Sequence, residues 1–181
     1  MSYILNIGFS ITYSHLYAVC SSSPLEVLRA LIGTSKNFTL VCVGNELRGD
    51  DRVGIYLGNK LKKSGLGDKV IIAYNTPENC IDEVLNRNPV VVFFLDAVQA
   101  GKKPGTIIVQ ELKSGESLGT SISTHSIPIE FVAAVMRSTN PKMRFFIVGI
   151  QIEQVKFGKK MSKVVIEAAM TLIEAIKITK R

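Results

Sequence analysis

Cysteine, histidine and tryptophan are scarce in this chain, and the scarcity of cysteine removes whole classes of site. The 181 residues include three cysteines, two histidines and no tryptophan. Cys20, Cys42 and Cys80 form no C-x-x-C pair and are odd in number, which argues against a disulfide framework and a cysteine-based zinc site. Such cysteine usage is typical of a reducing compartment, and we therefore expect a cytoplasmic protein.

Charge is missing from the first 25 residues, which contain no Lys, Arg, Asp or Glu. Polar residues interrupt this stretch too often for a membrane span, and it lacks the basic start of a signal peptide. We therefore expect no stable insertion into a membrane. Residues 1–23 are interpreted as an uncharged N-terminal segment of unknown role, and residues 24–181 as a single α/β domain.

The rest of the chain is basic, and the formal net charge of the whole is +7. Its lysines are spread over several segments without the interleaved aromatic residues that accompany nucleic-acid binding. No nucleic-acid partner is therefore predicted. The basic residues are interpreted as a solvated surface, and a docking face for an acidic protein is the second interpretation.

Segments with the apolar pattern of strands alternate with segments that have the spacing of helices. The run "PVVVFFLDA" is apolar on both faces, as in the middle of a parallel sheet, and "TIIVQEL" is placed as a strand at an edge. A helix is expected from about Asp50 to Ser64, and Gly33 is expected to end the first helix. The alternation predicts a three-layer α/β/α sandwich with a mostly parallel twisted sheet of about five strands.

Two carboxylates and one imidazole are expected to meet at one edge of this sheet. Asp51 follows the first strand, Asp96 follows the third apolar run, and His125 lies in a loop of small polar residues. Ligands of such folds bind beyond the carboxyl ends of the strands. Two oxygens and one imidazole suit Zn²⁺ or Ni²⁺ and leave a coordination position open. Acidic residues at a helix start also occur as simple caps, so Asp50 or Asp51 alone carries either interpretation.

Five short blocks in order carry a family resemblance: "VGNELRGDD", "TPEN", "FFLDAVQAGKKPG", "STHSIP" and "VGIQIEQVKFGKKMS". From about Asn37 to the C-terminus the chain resembles the hydrogenase maturation proteases, endopeptidases that remove a C-terminal extension from the large subunit of nickel-iron hydrogenases after nickel insertion. The resemblance implies one α/β peptidase domain. It also implies that the partner is the precursor of that subunit.

The same resemblance assigns the site residues. It implies that Asp51, Asp96 and His125 are the catalytic residues and also the metal ligands. The metal would be nickel already held by the substrate, with none bound tightly by the enzyme. Whether the peptide bond is broken by an aspartyl-type or a metal-dependent mechanism stays open.

Two departures from the family pattern keep other functions in view. Arg52 stands where the family has a small residue, and the second strand ends in "AYNTPEN" without the usual aspartate and glycines. A catalytically inactive relative that binds the hydrogenase subunit is therefore one alternative. A Rossmann-type nucleotide-binding domain is a weaker alternative, because "GNELRG" is not G-x-G-x-x-G. A cysteine hydrolase that uses Cys80 with His125 as its base is another.

Overall fold

The computed structural model describes residues 23–113 and 128–179. Residues 1–22, 114–127 and 180–181 lie outside the described residues, and His125 is among them. The predicted N-terminal segment and the predicted imidazole are therefore left as predictions.

Five strands form one sheet in the spatial order β2-β1-β3-β5-β4. Their bounds are β1 Phe38–Val43, β2 Val70–Tyr74, β3 Val91–Val98, β4 Ile107–Glu111 and β5 Arg144–Gln151. Strands β1, β2, β3 and β5 run parallel to one another, and β4 pairs antiparallel with β5 at one edge. The sheet is therefore mostly parallel with five strands, as the sequence predicted, and "TIIVQEL" supplies the edge strand.

Within the described residues, five α-helices cover the two faces of the sheet. Their bounds are α1 Pro24–Thr34, α2 Val53–Leu61, α3 Ile81–Arg87, α4 Ile129–Thr139 and α5 Lys163–Ile178. Helices α1, α2 and α5 share one apolar cluster with the sheet, and α3 and α4 share the other. The predicted α/β/α sandwich is confirmed.

Strand β3 lies in the centre of the sheet, and all eight of its residues are buried. Its residues alternate between the two apolar clusters, because successive side chains of a strand point to opposite faces. Phe93 packs with Leu95 and Phe146 on the α2 face, and Phe94 packs with Phe145 on the α4 face.

In the described part of the chain, no helix combines the length and the apolar character needed to cross a membrane.

Two helix boundaries differ from the predictions. A 3-10 turn, Gly49–Arg52, replaces the expected first turn of the helix, and α2 begins at Val53. Helix α1 continues past Gly33 to Thr34, where the Thr34 hydroxyl donates to the Ala30 carbonyl at 2.7 Å. A tertiary contact accounts for the first difference, because the Asp50 carboxylate in the 3-10 turn is held by the N–H groups of residues 153, 154 and 162.

Candidate functional site

The acidic turn connects the end of β1 to α2 and comprises residues 44–52. It is closed by two backbone hydrogen bonds: the Asn45 N–H donates to the Asp51 carbonyl, and the Asp51 N–H donates to the Arg48 carbonyl, both at 3.0 Å. The Gly44 N–H donates to the Tyr74 carbonyl at 2.8 Å and so ties the turn to the end of β2. The turn therefore lies at the carboxyl edge of the parallel strands, where ligand sites of such folds occur.

Helix α2 begins in direct contact with that edge. A side-chain Cβ at Gly54 would lie 1.9 Å from the Val43 carbonyl oxygen and 2.4 Å from the Leu95 carbonyl oxygen. Only glycine permits so close an approach of helix and strand ends. Because Asp51 precedes Gly54 by one helical turn and Asp96 follows Leu95, the contact brings the backbones of both predicted acidic residues to the same edge.

Asp50 has a structural role, but it binds a distant segment instead of capping its own helix, which was the structural role considered for it. Its carboxylate accepts hydrogen bonds from the Glu153 and Gln154 N–H groups at 2.9 Å each, from the Ser162 N–H at 2.6 Å and from the Ser162 hydroxyl at 3.0 Å. Ser162 is the N-cap residue of α5. Asp50 is fully buried and therefore fastens the acidic turn to the loop 152–162 and to the start of α5.

Asp51 lies inside the same turn and is 1 % exposed. Its backbone N–H and carbonyl are both used to close the turn, so its position is fixed on both sides. A carboxylate at the first turn of a helix is favoured by the helix dipole. Asp50 is thus bound to the loop 152–162, and Asp51 stays the predicted ligand of the turn.

Asp96 lies within β3, two residues before its end, and is fully buried. It shares a face of the sheet with Phe94 and Val98, which is the face covered by α4. The Ala97 N–H donates to its Oδ1 at 2.7 Å. On the neighbouring strand it stands beside Gly149. The Val98 side chain occupies the space that a side chain at Gly149 would need, since a Cβ there would lie 2.4 Å from Val98 Cγ1.

The third predicted residue, His125, lies outside the described residues. The chain resumes at Pro128, the N-cap residue of α4, and α4 covers the face on which Asp96 lies. Within residues 23–113 and 128–179, no group of three or more His, Cys, Asp and Glu side chains could hold a metal ion. A ligand set of Asp51, Asp96 and His125 stays a prediction.

Arg52 is directed along the outside of α2. It is half-buried and lines a small cleft of about 110 Å³ together with Tyr56, Lys60 and Lys63. Residues four and eight positions apart lie on one face of a helix, so this cleft follows the outer stripe of α2. Among its lining residues, Glu46 supplies the negative charge. The Arg52 side chain thus contributes to a basic cleft beside the acidic turn.

Cys80 has the wrong protonation state for a nucleophile. It ends the 3-10 turn Pro77–Cys80, and its Sγ–H donates to the Pro77 carbonyl at 2.9 Å. Burial, together with the nearby carboxylates of Glu83 and Glu78, raises the pKa of its thiol from 9.0 to about 12. A catalytic cysteine needs a depressed pKa, so burial of this thiol argues against the alternative of a Cys80 hydrolase.

Comparisons with known proteins agree with this architecture. The family profile described as hydrogenase maturation protease matches residues 55–178, more than half of the chain. That range contains Asp96 and His125 and begins four residues after Asp51. The hydrogenase 3 maturation protease of Escherichia coli K12 is 28% identical over 139 residues, which are 76% of this chain and 86% of that protein.

Solved structures of similar proteins have the same fold. The crystal structure of a NiFe hydrogenase maturation protease HycI from Thermococcus kodakarensis superposes with a TM-score of 0.75 at 26% identity, covering 84% of this chain and 97% of the other. The solution structure of the endopeptidase HycI from Escherichia coli gives 0.67 at 25% identity, covering 80% and 92%. A sheet with two buried aspartates at its carboxyl edge thus accompanies a family match across most of the domain, and the chain belongs to the hydrogenase maturation protease family.

Proposed function

We propose that this protein removes the C-terminal extension of a nickel-iron hydrogenase large-subunit precursor after nickel has been inserted. The observation that carries the proposal is the pair of buried aspartates, Asp51 and Asp96, at the carboxyl edge of the sheet in a chain of this protease family. Two carboxylates with His125 would present oxygen and nitrogen ligands to a divalent ion.

The nickel in this proposal belongs to the substrate. Three protein ligands leave the coordination shell of a tightly held structural ion incomplete, because such ions normally have four. The protein alone should therefore hold nickel weakly, and the substrate's own ligands would complete the shell. A nickel-free precursor offers no such anchor, which makes nickel insertion a condition for cleavage.

The decisive experiment compares nickel-loaded and nickel-free large-subunit precursors as substrates. Mass spectrometry of the C-terminus should show a shortened product only from the nickel-loaded form. Elemental analysis of the isolated protein should find well under one metal ion per chain. Stoichiometric metal in the isolated protein, together with equal cleavage of the nickel-free precursor, would overturn the proposal.

Site variants separate an active protease from an inactive relative. Asp51→Asn, Asp96→Asn and His125→Gln should each reduce cleavage at least about a hundredfold while the circular dichroism spectrum stays unchanged, since removal of one key charged group typically has that effect. The matched control is Asp82→Asn, which changes a carboxylate in the first turn of α3. Binding of the precursor by the wild-type protein without any cleavage would instead identify an inactive, subunit-binding relative.

The location of the protein is proposed from its cysteines. Cys42 and Cys80 are both free and buried, which agrees with a reducing compartment such as the cytoplasm.

A further inference from the structure

Two large apolar side chains are exposed beside the acidic turn. Leu47 is 60 % exposed and Phe157 is 76 % exposed. The Gly158 N–H donates to the Leu47 carbonyl at 2.8 Å, so the two side chains come from neighbouring backbone segments. Single exposed apolar residues are common, but two on joined turns at the edge of a candidate site form a surface that suits a protein partner. We call it the Leu47–Phe157 surface.

The backbone beneath this surface is held by specific hydrogen bonds. The Lys159 N–H donates to the Lys156 carbonyl at 3.3 Å and closes a turn in which Gly158 has a φ of +70°. The Gln154 side chain accepts from the Lys156 N–H at 2.9 Å and donates to the Lys160 carbonyl at 3.0 Å. The backbone of Phe157 is thus fixed before any partner arrives, which reduces the entropy that binding would cost.

Positive charge surrounds the two apolar side chains. Lys156, Lys159 and Lys160 are exposed and line an open depression of about 510 Å³ together with Gln154 and Gly158. Among the described residues, no ion pair joins these three lysines to a carboxylate. In residues 44–52 and 153–160, exposed cations outnumber exposed carboxylates by four to two. The cations are Arg48, Lys156, Lys159 and Lys160, and the carboxylates are Glu46 and Glu153.

We propose that the Leu47–Phe157 surface docks a segment of the large-subunit precursor in which an apolar side chain is flanked by carboxylates. This inference rests on the proposed function and states how the same site recognises its substrate. Charge complementarity selects the occupant. Residues 1–22 contain no carboxylate side chain, and a second copy of the chain carries the same net charge of +7, so neither matches the lysines. The surface adjoins Asp51 through the turn, so a segment docked there lies next to the candidate site.

The test compares Phe157→Ser and the double variant Lys159→Glu/Lys160→Glu with the wild-type protein on the nickel-loaded precursor. Each should lower kcat/KM about tenfold or more, mainly through a higher KM, because a central aromatic anchor or a set of complementary charges contributes that much to binding. The matched controls are Ile178→Ser and Lys142→Glu. Ile178 is 57 % exposed at the far end of α5, and Lys142 lies in the turn before β5, at the opposite edge of the sheet.

A separate binding experiment distinguishes failure of this inference from failure of the proposed function. In an Asp51→Asn background, affinity for the nickel-loaded precursor is measured by interferometry with and without Phe157→Ser. A weaker complex supports docking even if the wild-type protein cleaves nothing, which would overturn only the proposed cleavage. Equal affinities, or equal KM values in the cleavage assay, overturn docking alone. Dimerisation of the wild-type protein that Phe157→Ser abolishes, or faster hydrogen exchange of residues 1–22 in that variant, would assign the surface to another occupant.

Discussion

Asp50 and Asp51 are adjacent in the sequence and both buried, and hydrogen bonds define the role of Asp50. Asp50 accepts four hydrogen bonds from residues 153, 154 and 162. Asp51 lies over the sheet edge next to β3 and is the predicted ligand. At the scale of single residues, the structure therefore gives Asp50 a structural role, while the role of Asp51 as a ligand stays a prediction.

Replacement of each aspartate should separate these roles. Asp50→Ala leaves three buried or half-buried backbone N–H groups without their acceptor and should lower the free energy of unfolding by about 2–4 kcal/mol. Asp51→Asn keeps the shape of the side chain and should abolish cleavage with a smaller loss of stability. Urea denaturation and the precursor assay measure the two effects. An Asp50→Ala protein as stable as the wild type would contradict the structural role.

The cysteines give a prediction with a defined pH dependence. Burial raises the pKa of the thiols of Cys42 and Cys80 from 9.0 to about 12. Because the pKa in the folded state is raised, the stability contributed by the neutral thiols is fully present below pH 9 and is lost as the pH rises through about 12. At pH 8 the peptides that contain Cys42 and Cys80 should be alkylated at least about tenfold more slowly in the folded protein than in urea. Rapid alkylation of Cys80 in the folded protein would contradict this prediction and would show that Cys80 is reactive.

At the scale of secondary-structure elements, the contact of α2 with the strand ends positions the candidate site. Gly54 allows the helix to touch the Val43 and Leu95 carbonyl groups. Gly54→Ala should therefore push the helix away from the edge and lower the free energy of unfolding by about 1–3 kcal/mol, as overpacking of a tight contact typically does. Cleavage should fall as well, because the turn with Asp51 moves with the helix.

The matched control for Gly54→Ala is Gly67→Ala. Gly67 has an ordinary φ of −58° and no close neighbour except the Lys62 carbonyl oxygen, 3.9 Å from the position of a Cβ. Alanine should be neutral there, or stabilise the protein by about 0.5 kcal/mol, through the reduced entropy of the unfolded chain. Thermal unfolding of both variants measures the difference. Equal shifts in Tm would show that the close contact at Gly54 is unimportant.

At the scale of the whole molecule, the basic charge predicts an effect of salt. The wild-type kcat/KM for the precursor should fall as the ionic strength rises from about 0.05 to 0.5 M, because screening shortens the reach of the lysines from over ten ångströms to a few. The Lys159→Glu/Lys160→Glu variant should show a shallower dependence. Identical slopes for the two proteins would mean that charges elsewhere on the molecule steer the substrate.

Much of this architecture could be predicted from local patterns. The uninterrupted apolar run of β3 indicated a strand covered on both faces, and the alternation of strands and helices gave the layers. Asp96 could be chosen as a candidate site residue because a charged residue within such an apolar run is unusual. These signals lie within a few residues of each other, which is the range over which periodicity carries information.

The contacts that a single sequence could not reveal are those between distant segments. Nothing in the turn "GDD" shows that Asp50 binds Ser162, 112 positions away. The approach of Gly54 to the Leu95 carbonyl depends in the same way on how the sheet is assembled. The exposure of Phe157 was equally unpredictable, since phenylalanine is among the residues most often buried.

The bond between Asp50 and the segment 153–162 also has a consequence for how the protein is made. Every donor to the Asp50 carboxylate lies in the last thirty residues of the chain. During synthesis from the N-terminus, the hydrogen bonds to the Asp50 carboxylate can therefore form only after residues 153–162 have been made. Contacts of such long sequence separation form late in folding. We expect a growing chain to lack a finished acidic turn until residues 153–162 have been synthesised and have folded onto it.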